Sequence, residues 1–536
     1  MTSTLAHYIV SVDSGGTYIK AGVFTPSGER LSLARLPSVT VARPGGHVEL
    51  DLDALWGACA TAVRLAVEQA GVAPEEIDVI GFAGQGKGLY AVDAAGQPIG
   101  PAITSADSRA DAIASRWRRE GVTARVRAIT GQGVFGSQPT ALLAWLKSAD
   151  PAAYSSIRWL LTMKDYLVLR ATGRAVSDAS NMSGNGLLRL DTLSYDPRIL
   201  AELGIEEAQA WLPPMLTGTD LVGTLTQEAA AALGCSTSTR VASGLFDVNA
   251  AALAAGCTDE STLCVITGTA GVGVYASAEL PPPGSVALTS AYCLPGLYLV
   301  EEGSNSSVGV LEWVRSTLFP EGLEYTVEFR SLPLDVRTRC TNEYERLEAL
   351  AQSSHESEVV FLPYLAGDGG TGRAAGCWIG LTTTDGRAEL ARAAYEGVAF
   401  AHRRLVDRLL SARRTPPDRI RLAGGGARSP LWSQMLADCL ASPVEVSAEE
   451  ELGLAGTALA AATAADLTTL DGWDRPTLSH GDTDVGRTVS PSPERITHMA
   501  LGYRRFCRAV AALESWDSVE DDGATAPVTP EKSEIR

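Results

Sequence analysis

Short apolar runs separated by polar, glycine-containing breaks open the chain. Tyr8–Val12, Ile19–Phe24 and Arg30–Leu36 have strand lengths, and Asp13-Ser14-Gly15-Gly16 interrupts the first two. Runs joined in this way predict a three-stranded antiparallel meander. From Asp51 the period changes. Leu55, Cys59, Ala62, Val63, Ala66, Val67 and Ala70 recur at helical spacing, with Asp51 or Asp53 placed to cap the start and Gly71 to stop it. Ile77–Phe82 then returns as a buried strand.

The opening pattern recurs half a chain later. Thr262–Ile266 reads as a strand, Thr267–Gly271 as a Thr/Gly turn and Val272–Tyr275 as a second strand. A strand at Val359–Leu362, a long helix over Ala388–Arg413 and a strand at Ile420–Leu422 follow. A helix at Leu431–Leu440, a strand at Val444–Val446 and a helix at Gly453–Ala464 complete the series. Meander, helix, strand, helix, twice over, predicts an α/β protein of two similar domains. The order is compatible with two ribonuclease-H-like domains of the actin/hexokinase superfamily, although the periodicity also fits other α/β folds. The boundary is expected near Asp247–Gly256, giving domains 1–248 and 249–514, with Pro281–Gly284 and Pro416–Asp418 as loops inside the second. Residues 515–536 mix Asp, Glu, Pro, Thr and Ser with few large apolar groups and are expected to form a disordered acidic tail.

At 536 residues, 45% apolar and 20% charged, the chain is too long for one core and suits two large domains. Its net charge of -19 disfavours nucleic acid and anionic membrane as partners, both being polyanions. An anionic substrate would therefore need a local, glycine-rich pocket. Nine scattered cysteines without a CxxC pair, and six histidines without ligand spacing, point to reduced cytosolic thiols and no structural metal. The start lacks a signal peptide's basic and apolar regions. The small-apolar stretch Leu452–Leu467 is broken by Gly453, Gly456, threonines and Asp466, as in a packed helix rather than a membrane span. A cytoplasmic location is expected, with a homodimer as the candidate assembly.

Three glycine-rich segments carry candidate chemistry. In Asp13-Ser14-Gly15-Gly16-Thr17-Tyr18-Ile19-Lys20, small residues let backbone N–H groups and the Thr17 hydroxyl approach an anion, and Lys20 adds a cation. Alone, this could be a hairpin that merely needs glycine. The matching turn Thr267-Gly268-Thr269-Ala270-Gly271 strengthens the phosphate reading, because two such turns across a cleft would hold a triphosphate from both sides. Asp13 would then be placed to hold Mg²⁺, directly or through water. The third segment, Gly424-Gly425-Gly426-Ala427, precedes a helix containing Gln434, and a flat base could lie on its glycines. No GxGxxG fingerprint or Walker loop is present.

Over Tyr8 to Ala511 the sequence resembles the FGGY carbohydrate kinases. Asp13–Lys20 resembles the family's phosphate loop, and Gly84-Gln85-Gly86-Lys87-Gly88 with Asp107-Ser108-Arg109 its sugar side. Gly376–Leu381 running to Glu396-Gly397 resembles its second signature, and Gly424–Ala427 with Gln434 its adenine side. Its first signature is met by Gln138–Leu146 except that Ala144 stands where a lysine usually precedes the tryptophan. The resemblance implies two domains closing over an interdomain active-site cleft, with ATP and Mg²⁺ as cofactors and a small sugar as substrate. It implies ATP contacts from Gly15, Gly16, Thr17, Lys20, Gly268, Thr269, Gly424, Gly425, Gly426 and Gln434. It implies substrate contacts from Gln85, Lys87, Asp107 and Arg109, with Asp247 as the catalytic base touching the same substrate. An ionised carboxylate suits that role, since it can accept a sugar hydroxyl proton.

The segment Gln85-Gly86-Lys87-Gly88-Leu89-Tyr90 resembles that of L-xylulose kinases, where D-xylulose kinases tend to carry a Met-His pair and glycerol kinases an Arg-Glu pair. Ser105-Ala106-Asp107-Ser108-Arg109 agrees. L-xylulose or a related ketopentose, phosphorylated at a terminal hydroxyl, is the expected substrate. Erythritol-like polyols, D-xylulose, and a non-catalytic sugar- or nucleotide-binding regulator are the alternatives.

Overall fold

Two sheets of the same topology form the frame of the computed structural model, which describes residues 7–355, 357–365, 376–470, 472–473 and 487–520. In the first half, β1 (Tyr8–Ser14), β2 (Tyr18–Phe24) and β3 (Arg30–Pro37) make the antiparallel meander. Helix α1 (Leu52–Ala70) then crosses to β4 (Ile77–Gly84), parallel to β1, and β5 (Arg240–Ala242) lies parallel to β4. Of the two candidate caps it is Asp51 that accepts the Ala54 N–H at 2.8 Å, while Gly71 ends the helix at φ +66°.

The second half repeats the order. β6 (Thr262–Thr267), β7 (Gly271–Ser277) and β8 (Tyr298–Ser304) are antiparallel neighbours. β9 (Arg419–Ala423) runs parallel to β6, and β10 (Val444–Val446) parallel to β9. The strand orders β3-β2-β1-β4-β5 and β8-β7-β6-β9-β10 are therefore equivalent.

Helices α2 (Asp247–Ala254) and α5 (Leu452–Ala464) join the two halves by exchange. Ala250 and Leu253 of α2 pack with Cys264, Val274 and Ala276 of the second sheet. Leu454, Ala458 and Ala461 of α5 pack with Ile9, Phe24 and Val79 of the first. Ser11 Oγ also donates to Leu454 O at 2.7 Å. The run of alanine and glycine in Leu452–Leu467 is explained by this crossing, since a Cβ on Gly456 would overlap the Ala250 carbonyl oxygen. Gly456→Ala should cost about 1–3 kcal/mol by overpacking. A denaturation midpoint equal to the wild type would show that the two helices separate freely.

A further core lies within the first half, in the stretch of chain between β4 and β5. Leu89, Ile103, Trp117, Val126, Leu142, Met182, Leu188 and Leu200 belong to a separate buried cluster drawn from residues 89–208. Helix α3 (Arg387–Ala412) and helix α4 (Pro430–Leu440) cover the second sheet. The expectation of a disordered tail from Ser515 is corrected over its first residues, because helix α6 (Pro493–Glu520) runs through them. Adding a residue to an existing helix is far easier than starting one. Residues 521–536 of that tail, and His480, lie outside the described residues.

Candidate active site

Parallel pairing brings the key side chains to one edge of the first sheet. Asp13 on β1 lies opposite Ala83 of β4, and on the other side of β4 the short strand Leu245–Phe246 pairs with Ala83 and Gly84. Neighbouring strands lie about 4.8 Å apart, so Asp13 and Leu245 flank the same residue at about 10 Å. Asp247 follows one residue beyond that short strand, and Gln85 directly follows β4. Asp13, Gln85 and Asp247 thus stand at the carboxyl ends of three adjacent strands, where open α/β sheets bind ligands.

The first glycine turn closes this edge. Gly15 N–H donates to Tyr18 O at 3.0 Å, which leaves Gly16 and Thr17 exposed at the tip. A side chain on Gly16 would run into the Gln85 amide. Lys20, next on β2, pairs with Glu451 at 2.7 Å, so its charge is shared with a carboxylate carried by the second half. Asp13 is half-buried and packs over Gly453. Burial first, then Glu451, lift its pKa to about 6 against the pull of Lys20.

The second turn occupies the equivalent place in the second sheet. Gly268 N–H donates to Ala270 O at 3.1 Å, and Thr269 and Ala270 are exposed. Gly424 has φ +89°, and a Cβ there would lie 2.9 Å from Thr267 O. Glycine is therefore required where β9 ends against the β6–β7 turn, and exposed Gly425 and buried Gly426 follow beside it. Gln434 lies on α4. Its amide donates to Asp438 Oδ1 at 2.8 Å and to Ser490 O at 3.0 Å, tying α4 to the C-terminal segment.

On the sugar side, the ammonium of half-buried Lys87 donates to Gly184 O and stands 5.9 Å over the Phe246 ring. Burial lowers its pKa to about 8 against the opposing pull of Glu301 and Asp247. Asp107 and Arg109, expected to touch substrate, are engaged with each other. The Asp107 carboxylate accepts Val48 N–H at 2.6 Å, Arg109 N–H at 2.8 Å and Arg109 Nε and Nη2 at 2.8–3.0 Å. Arg109 Nη2 also reaches Glu49 at 2.8 Å and its guanidinium lies 4.9 Å over Trp145. This clamp fixes the loop from which Ser105 Oγ donates to Gln85 Oε1 at 2.8 Å, so it acts on Gln85 from behind.

Asp247 is the most perturbed carboxyl of the group. It begins α2, where Val248 N–H donates to its Oδ1 at 2.7 Å. Burial first, then Asp13 and Glu301, raise its pKa to about 7, opposed by that N–H and by Lys87. Glu301 on β8 was missed by sequence reasoning. It is buried, accepts Ser290 Oγ at 2.9 Å, and burial lifts its pKa to about 7. The signal that could have found it is the Glu301-Glu302 pair inside the apolar strand Tyr298–Ser304, since buried unpaired acids are rare. Asp247 and Glu301 thus both act on the ammonium of Lys87, while Asp13 faces Lys20 and Glu451.

Comparison with known proteins agrees with this architecture. Residues 8–254 match the N-terminal domain of the FGGY family of carbohydrate kinases, and residues 263–465 its C-terminal domain. The chain is 31% identical to an L-xylulose/3-keto-L-gulonate kinase of Escherichia coli, over 96% of this chain and 98% of that protein. It is 30% identical to a probable L-xylulose kinase of Pasteurella multocida, over 95% of this chain and 99% of that one. A crystal structure of xylulose kinase from Rhodospirillum rubrum superposes with a TM-score of 0.80 at 26% identity, covering 95% of this chain and 99% of the other. With two such domains in series, on repeated sheets that each carry a glycine turn at the equivalent place, the chain belongs to the FGGY family of carbohydrate kinases.

Proposed function

We propose that this sugar kinase transfers the γ-phosphoryl group of ATP to a terminal hydroxyl of L-xylulose or a closely related ketopentose, with Asp247 as the general base. The observation that carries the reading is the placement of Asp247. It sits at the carboxyl edge of the sheet, across β4 from Asp13, and beside Lys87 of the sugar-side segment. Domains 1–248 and 249–514 would supply the two walls. Gln85 and Lys87 would hold the sugar, Gly15, Gly16, Thr17, Lys20, Gly268 and Thr269 the phosphates, and Gly424–Gly426 the adenine.

Asp247 then accepts the hydroxyl proton as the oxygen attacks the γ-phosphorus. Thr17, Lys20 and Thr269 stabilise charge spreading over the transferred group, a reaction in which positioning and electrostatics dominate. Asp13 fits a Mg²⁺ ligand. Its carboxylate is half-buried, is raised toward the neutral form by burial and lacks a side-chain hydrogen-bond partner among the described residues. Mg²⁺ bound there would neutralise phosphate charge, and as a cation that keeps waters and phosphate oxygens as ligands it needs few protein carboxylates. Among the described residues no helix is long and apolar enough to cross a membrane.

The charge balance favours a neutral sugar. Asp247 and Glu301 both act on the ammonium of Lys87, so an added substrate carboxylate would meet net repulsion there. A coupled assay of ADP release over neutral ketoses, polyols and keto acids tests the reading. A non-catalytic regulator would release no ADP with any of them.

pH offers a second check. Asp247 works deprotonated, and the proton it must lose leaves near pH 7. The value of kcat/KM for the sugar should therefore rise with pH up to about 7 and level off above it. A profile flat from about pH 5 to 8 would remove Asp247 from the role.

A further inference from the structure

Behind the site lies a buried ionic cluster with no part in the chemistry above. Lys164, 1% exposed on the helix Met163–Thr172, donates to Asp165 Oδ1 at 2.6 Å and to Ser243 O at 3.1 Å. It also pairs with Asp178 Oδ1 at 2.9 Å, so all three of its donors are used. Burial alone would lower its pKa, but Asp165 and Asp178 outweigh burial and hold the amine charged. Asp165 Oδ2 accepts Thr162 N–H at 3.0 Å and the hydroxyls of Thr162 and Ser177 at 2.8 Å. Asp178 Oδ2 accepts Ser180 N–H at 2.7 Å and the Ser180 hydroxyl. Burying such a cluster is a poor route to stability, because desolvation opposes the attraction of the charges.

Its outward contacts converge on the segment that leads into Asp247. Lys164 holds the carbonyl of Ser243, and Ser180 Oγ accepts the N–H of Phe246 at 3.1 Å. Between those two grips Gly244 takes φ +78°, and a Cβ there would overlap Phe82 O. Both ends of a four-residue segment are therefore tied to one charged cluster, and the next residue is Asp247.

We propose that Lys164, Asp178 and Ser180 are positioning residues that set where the Asp247 carboxylate stands relative to the acceptor hydroxyl. This rests on the reading of Asp247 as the base. A misplacement of about 1 Å at a reacting centre can cost about 10²-fold in rate, so a partial slip should be measurable.

Ser180→Ala is the sharpest probe, since it deletes the one oxygen that holds Phe246. Its kcat should fall about tenfold, with KM for ATP within about twofold of the wild type and little change in melting temperature. In an Asp247→Asn background the same substitution should lower the residual rate by less than about twofold, because the group being positioned is already gone. Wild-type kcat in Ser180→Ala, or losses that multiply in the double variant, would overturn the positioning role while leaving the base intact. Full turnover by Asp247→Asn alone would overturn the base assignment, and this inference with it.

Discussion

Asp247→Asn should lower kcat at saturating sugar by about 10²- to 10⁴-fold, the usual contribution of a general base. The change removes the proton acceptor and keeps the volume and the hydrogen bond from Val248 N–H, so the start of α2 should stay in place. ATP binding should be nearly unaffected, because the phosphate turns lie on other segments, Gly15–Lys20 and Gly268–Thr269. Losing a carboxyl whose pKa is raised by burial and by Asp13 also relieves repulsion, so the variant should be at least as stable as the wild type near neutral pH. The sign follows from linkage. A group held near 7 in the fold and near 4 in the unfolded chain binds more protons when folded, which weakens the fold as pH rises through that window. A variant retaining more than about a third of wild-type kcat would lie far outside the expected range and refute the role.

L-xylulose should stand well above D-xylulose, glycerol and erythritol in kcat/KM, because a site that hydrogen-bonds a substrate hydroxyl can reject the wrong partner by ~10⁴-fold. Lys87 is placed to read the difference. Its ammonium is anchored on Gly184 O and over Phe246, with Asp247 and Glu301 close enough to act on its charge, so its donors sit beside the proposed base. Lys87→Ala should collapse the ranking among the four compounds, not merely lower all rates together. An unchanged ranking in that variant, or equal kcat/KM for L-xylulose and D-xylulose, would refute the substrate assignment and leave the kinase untouched.

Much of the architecture was legible in the chain because it depends on local rules. The meander, the Asp51-to-Gly71 helix and the paired glycine turns follow from periodicity, capping and the steric demands of tight turns, all properties of neighbouring residues. The recurrence of strand, glycine turn and strand half a chain apart was enough to anticipate equivalent sheets, and the family resemblance singled out Asp13, Gln85, Lys87 and Asp247. What those residues do to one another was not legible. Whether a carboxyl sits near pKa 4 or 7 depends on burial and on charges contributed by segments distant in the chain, as Glu301 acts on Asp247 and Glu451 on Asp13. The same holds for Asp107 and Arg109, whose motif reads as substrate contact and whose engagement with each other, with Glu49 and with the Val48 N–H only the fold reveals. Sequence spacing determined which backbone shapes could form. Only the tertiary structure decided which polar groups remained free for a ligand, because hydrogen-bond satisfaction is settled by every neighbour in space and not by neighbours in the chain.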